Sequence, residues 1–224
     1  MINRAFQTAS WKASSQVIEL FYQQIPRVVI RTKRRTMTTA MKPSKTKYQF
    51  VEDVERLDFY VPNGYHVIGI GDKFKDGRYT IIHKLGFGRS ATTWLAEDKQ
   101  ENKLVALKIS TAESAYRTQE EQILSKLAKA KSQLSGKNHI QTLYDSFEIN
   151  GANGTHRCLV LAAERASIAE TKEAAFDGVL RLSVARAIAT QLIFAVQFIH
   201  SQGIVHGGMF DSYILISEEK TTNI

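Results

Sequence analysis

Cysteine is almost missing from this chain: Cys158 is the only one in 224 residues. No intramolecular disulfide can form, and the lone thiol reads as a small buried apolar residue in a reducing compartment. Long hydrophobic runs are missing too. No uninterrupted apolar stretch approaches the ~18 residues that a bilayer span needs, which argues against a transmembrane protein. Acidic residues are scarce in one region. Met1–Phe50 carries ten Lys and Arg against a single acid, Glu19, for a net +9, so with +8 on the whole chain the remainder nets −1. The basic character therefore does not point to nucleic acid, because the part able to fold is close to neutral.

A hydrophobic content of 43% is enough for a globular core in one or two domains. The basic segment 1–50 is expected to stay out of it. Ser14 or Ser15 could cap a short helix in which Ile18, Phe21, Tyr22 and Ile25 recur at helical spacing, ending at Pro26. Such a composition suits a mitochondrial targeting segment over residues 1–35. It equally suits a disordered basic tail, with Arg31-Thr-Lys-Arg-Arg35 serving nuclear import, so localisation stays open. The folded domain is expected over 51–216, with a polar tail over 217–224.

The chain is organised around Lys84–Ser110. Tyr79 to His83 alternates as a strand and runs into Lys84-Leu85-Gly86-Phe87-Gly88-Arg89-Ser90-Ala91-Thr92-Thr93-Trp94-Leu95-Ala96. A polar turn over 97–103 then returns the chain as Leu104-Val105-Ala106-Leu107-Lys108-Ile109-Ser110. A dinucleotide fingerprint needs a helix directly after its glycines, and Thr92-Thr-Trp-Leu95 is β-branched and aromatic instead. The spacing therefore predicts a β-hairpin whose glycines let backbone approach phosphate oxygens. Alternation puts Ala106 and Lys108 on one strand face and Val105, Leu107 and Ile109 on the other. Lys108 is either a phosphate ligand or a lysine on a solvated edge.

Its candidate partner lies on a helix predicted over 112–134, whose apolar face carries Tyr116, Ile123, Leu124, Leu127 and Ala128. Glu120 falls on that face and Glu121 points away from it. A carboxylate there wants a cation, and Lys108 is the candidate, although a solvated Glu at the edge of the stripe is the alternative. Strands follow at His139–Phe147 and at Arg157–Ala163, the latter dense enough around Cys158–Ala162 to be central. Ala166–Gly178 is polar and weakly patterned. Leu182 opens a strong helix with Ala185, Ile188, Ala189, Leu192, Ala195, Val196 and Ile199 on one face, ending near His200 and Gly203. Ile204–His206 and Tyr213–Ile216 are two further strand-like pieces.

This order resembles the eukaryotic protein kinases, and more narrowly the SR-protein kinases, a serine/threonine branch. The narrower likeness rests on Gly64-Tyr-His66, Ile70-Gly-Asp72 ahead of Arg78-Tyr79, Lys84-Leu-Gly-Phe-Gly88 with Trp94-Leu-Ala96-Glu-Asp98, and Phe147-Glu-Ile-Asn-Gly-Ala-Asn-Gly154 before His156-Arg-Cys158. The resemblance implies an α+β, protein-kinase-like fold. A complete small lobe, an antiparallel sheet plus one helix, would occupy about 60–164, and the start of a helical large lobe about 165–216. It further implies ATP as ligand under a loop of Leu85, Gly86, Phe87, Gly88, Arg89, Ser90, Ala91, Thr92 and Thr93. Ala106 and Leu161 would line the adenine pocket, with the backbone of Ala162 to Glu164 as hinge. Lys108 would hold two phosphates and Glu120 would pair with it. Arginine/serine-rich proteins would be the substrates.

The resemblance breaks after His206, which would open the catalytic loop. Gly208 and Tyr213 stand where the family has its catalytic aspartate and metal-binding asparagine, Asp211 is three residues late, and no Asp-Phe-Gly occurs before Ile224. Magnesium is expected from the family, but its ligands are missing from the pattern. Two functions follow as expectations: a serine/threonine kinase that binds ATP and transfers its γ-phosphate, or an inactive or truncated kinase-like module that acts by binding. A large lobe that ended here would leave the 185–199 helix face open to a protein partner or a chaperone.

Overall fold

Period-two alternation of apolar residues builds the first half of the molecule. In a computed structural model that describes residues 54–164, 166–209 and 214–216, six strands form an antiparallel sheet in the order β1-β2-β3-β4-β6-β5. They are β1 (Lys73–Phe74), β2 (Tyr79–Gly88), β3 (Ala91–Asp98), β4 (Lys103–Ser110), β5 (Leu143–Gly151) and β6 (Gly154–Ala162). The basic segment 1–50, with the helix expected there from Ser14 or Ser15 to Pro26, Asp211, Tyr213 and the tail 217–224 lie outside the described residues.

One sheet face buries Tyr79, Ile81, Trp94, Ala96, Val105, Leu107, Ile109, Cys158 and Val160 as a single cluster. Each large side chain there contributes about 1.5–3 kcal/mol by leaving water. The opposite face carries Ala106, Leu159 and Leu161, covered by Leu124 and Leu143. The expected split of Ala106 and Lys108 from Val105, Leu107 and Ile109 is therefore the one observed.

The β3–β4 turn is locked from within the sheet. Asp98 is buried, receives Arg78 Nε and Nη2 at 2.9 and 2.8 Å, and accepts the backbone N–H of Gln100 at 3.0 Å. The Arg78 hydrogen bonds hold its carboxyl below the ordinary 3.8, against the opposing effect of burial. This contribution is complete above the unfolded value and is lost as pH falls through the lower folded one. Asp98→Ala, which strands Arg78 and frees the turn, is expected to cost about 3 kcal/mol, read as a fall in the urea midpoint at pH 7. An unchanged midpoint would show that the turn does not depend on this pair.

Several boundaries differ from the sequence reading. The helix expected over 112–134 is α1 (Glu120–Lys129) alone. Ahead of it the chain makes an isolated turn, with Ala115 N donating to Thr111 O and Ser114 N to Thr111 Oγ1, because a threonine side chain competes for the amides that a helix would use. Tyr116 is accordingly exposed, as is Ala128. β5 starts at Leu143, since Ser135–His139 winds into a 3-10 turn. The segment expected to be weakly patterned holds α2 (Ile168–Ala174), nucleated by a reciprocal capping box between Ser167 and Glu170.

The second half begins with α3 (Leu182–Ser201). With a mean hydropathy of 1.6 over a spanning-length window it is long and apolar enough, by length and composition alone, to cross a membrane. Arg186, Gln191 and Gln197 interrupt its apolar residues, so it contains no uninterrupted run. Its last turns dock on the first half: Phe198 and Ile199 pack with Leu127 of α1, flanked by Leu134, Ile140 and Ile204. The expected face is partly covered, with Ala195 and Ile199 buried and Ala189 exposed. The large apolar side chains left open on α3 are Leu182, Val184, Ile193 and Phe194, which fall outside the expected stripe. Beyond α3, residues 204–206 are not a strand. β8 (Leu215–Ile216) pairs antiparallel with β7 (Ala166–Ser167), which returns the chain beside the end of β6. The result is α+β: an antiparallel sheet with one packed helix, then the start of a helical lobe.

Candidate functional site

Sheet register gathers the site on one face. Antiparallel partners share a face, so Thr93 opposite Lys108, Gly86 opposite Thr93, Leu159 opposite Lys108 and Leu161 opposite Ala106 place all six side-chain positions together. Thr92 falls on the other side, buried, with its hydroxyl accepting the Trp94 indole N–H at 3.0 Å. Of the hairpin residues named from the sequence, it is the one whose side chain the sheet interior takes.

The glycine stretch spans the end of β2 and the two-residue turn Arg89–Ser90. A Cβ built on Gly86 or Gly88 meets nothing within 4 Å, so packing does not demand glycine at either place. What their bareness provides is an open surface over the face that carries Lys108. Leu85 and Phe87 are exposed on this hairpin, and Lys84 Nζ sits 5.6 Å from the Phe87 ring centroid.

Lys108 Nζ donates to both carboxylate oxygens of Glu120, at 2.6 and 2.7 Å. Glu120 is the first residue of α1, where unpaired amides and the helix dipole favour a negative charge. Each side chain keeps about a third of its surface in water, so the pair fixes geometry more than it adds stability. A cavity of about 170 Å³ opens beside it, lined by Ser90, Ala91, Thr118, Glu121, Arg157 and Leu159. Glu121 was expected to point away; it instead takes the Ser146 hydroxyl at 2.5 Å and lies 3.6 Å from Arg157 Nε.

At the other end of the face, Ala106 and Leu161 are buried side by side. Beyond Leu161, Ala162 N donates to Thr142 O at 3.0 Å and the Ala162 carbonyl accepts Gln141 Nε2 at 2.8 Å. Gln141 is a residue that pattern reading missed, because an exposed-looking polar side chain ahead of a strand carries no periodic signal. Glu164 is half-buried, and burial pushes its carboxyl above the ordinary value. His206 is exposed after α3, followed by Gly207 at φ +75, where a side chain would be strained, and by Gly208.

Toward a nucleoside triphosphate this face offers open glycine positions, an ammonium held in place and the small apolar patch of Ala106 and Leu161. A divalent metal is not provided for in the same way. Among the described residues no group of three or more His, Cys, Asp and Glu side chains could hold one, and Gly208 offers no donor.

The protein kinase domain family model matches residues 79–224. The chain is 32% identical over 166 residues to protein kinase dsk1 of Schizosaccharomyces pombe, covering 72% of this chain and 30% of that protein. It is 33% identical over 160 residues to serine/threonine-protein kinase SKY1 of Saccharomyces cerevisiae, covering 68% and 21%. It is 29% identical over 170 residues to human SRSF protein kinase 3, covering 74% and 30%. The chain thus spans less than a third of the length of each of these relatives.

Proposed function

We propose, from the premise that the chain belongs to the protein kinase family, that it is a serine/threonine kinase-like protein of the SR-protein kinase type that grips ATP for transfer to protein serine or threonine. The observation that carries this reading is the two-pronged contact of Lys108 with Glu120 on the face shared by Gly86, Ala106 and Leu161. Lys108 holds the α- and β-phosphates, and Glu120 fixes the direction of its side chain. Leu85 to Thr93 roof the phosphates. Ala106 and Leu161 take the adenine, with the backbone from Ala162 to Glu164 at its edge and Gln141 steadying the Ala162 carbonyl. ATP supplies the phosphoryl group. Arginine/serine-rich proteins are the proposed substrate class, supported by likeness to SRSF protein kinase 3.

Gly208 favours a second reading, a module that holds nucleotide without transferring phosphate, because glycine cannot accept the substrate hydroxyl proton. The two are separated by calorimetric titration with ATP, with and without magnesium, followed by γ-phosphate transfer to an Arg-Ser peptide. ATP binding that depends little on magnesium is expected, since Gly208 and Tyr213 stand where the family's catalytic aspartate and metal-binding asparagine would be. Transfer above background would support the enzyme; binding without transfer would support the silent module; no binding would sink both.

A further inference from the structure

Part of what touches the glycine hairpin from outside comes from a segment ahead of residue 79, where the match to the kinase family begins. Tyr65 is buried, and its hydroxyl donates to the Gly88 carbonyl at 2.8 Å. Ser90, two residues on, accepts the Thr111 N–H at 2.8 Å, and Ala112 N donates to Gly64 O at 3.0 Å. Three pieces of chain are therefore joined pairwise into a closed ring: the segment at 64–65, the hairpin tip at 88–90, and the turn at 111–112 that leads into α1. Asn63 extends the ring, with its carbonyl accepting Glu113 N at 2.9 Å and its amide donating to Asn153 O at 2.8 Å.

A second tie lies at the base of the hairpin. Glu55 is buried and takes hydrogen bonds from both Lys84 Nζ and the Tyr60 hydroxyl. Burial opposes its ionisation, but those two hydrogen bonds, a backbone hydrogen bond and the Lys84 charge together hold the carboxyl below its ordinary range. Close packing fixes the segment's own shape, because a Cβ on Gly64 would overlap the Phe59 carbonyl.

We propose that residues 55–66 form a strap that sets the position of the glycine hairpin relative to α1, with Tyr65 as the positioning residue that holds its tip over the Lys108–Glu120 pair. The strap tunes nucleotide affinity by preorganising the roof before ligand arrives. This rests on the nucleotide reading above, and its test is built to fail separately from it.

The test compares the full chain with Tyr65→Phe, which keeps the ring and removes the hydroxyl. Hydrogen exchange of peptides covering 86–93 is expected to quicken roughly threefold or more while those covering 154–162 stay unchanged. ATP affinity by calorimetry is expected to fall about fivefold as the roof loses its preorganisation, with the urea midpoint lowered by no more than one ordinary hydrogen bond. Unchanged exchange at the hairpin overturns the strap, as does faster exchange with unaltered ATP affinity. If the parent chain binds no ATP but the hairpin still loosens in Tyr65→Phe, the strap stands as a mechanical tie and the nucleotide reading falls. Should Tyr65→Phe not fold, Glu55→Gln is read by the same two measurements.

Discussion

Lys108→Met is expected to weaken ATP binding by at least about tenfold while leaving the fold almost untouched. The two effects are separable because the lysine has two kinds of partner. Toward the protein it faces Glu120, and with about a third of each side chain in water the pair is worth about 0.2–1 kcal/mol at most. Methionine keeps the unbranched stem packed along β4, so the strand loses little. Toward ligand the ammonium is the fixed cation that the described residues direct at the phosphate site, and charge-assisted hydrogen bonds contribute about 1.5–3 kcal/mol each. That is about a ten- to hundredfold change in affinity. Glu120→Gln should do less, because the amide oxygen still accepts from Lys108. Calorimetry alongside thermal unfolding checks both: ATP affinity equal to that of the parent chain would remove Lys108 from the site.

The Lys108–Glu120 contact was legible in the sequence through periodicity, whereas the roles given to the glycine hairpin, Ala106 and Leu161 rest on the kinase resemblance. A lysine two residues from a small alanine on one strand face, and a glutamate on the apolar face of a helix, are positions fixed by spacings of two and of three to four. What failed was local side-chain chemistry. Thr111 ended a helix that hydrophobic spacing alone carried back to residue 112, and Ser167 with Glu170 started one where spacing was silent. Glu121 points away from the apolar stripe by its angle on the helix, yet Ser146 and Arg157 come from strands later in the chain to meet it. Of residues 55–66 only Gly64-Tyr-His66 stood out in the sequence, because the tie from Tyr65 runs to a backbone carbonyl, which has no sequence signature. Residues on α3 fell between: the pattern found the helix and most of its face, but missed Phe198, the fully buried side chain that docks it.

That docking leads to the other large expected effect. Gly136 lies in the 3-10 turn Ser135–His139, is buried, and faces the backbone of α3 so closely that a Cβ would overlap the Phe194 carbonyl and sit 3.0 Å from Ala195 N. Neither is the movable end of a side chain, so Gly136→Ala can be accommodated only if the turn and the helix part. Overpacking of this kind costs about 1–3 kcal/mol even when neighbours adjust. Here relief also uncovers Phe198 and Ile199, each giving back about 1.5–3 kcal/mol of burial. A loss of about 3 kcal/mol or more is therefore expected, concentrated at the junction of the two halves. The sheet has its own core on the far side, so peptides over 103–110 and 154–162 should keep their hydrogen-exchange protection while those over 182–201 lose theirs. Retained protection in α3 would show that the turn can yield. If α3 does release, His206 leaves with it, and the roof built on Lys108 loses its fixed relation to everything that follows the helix.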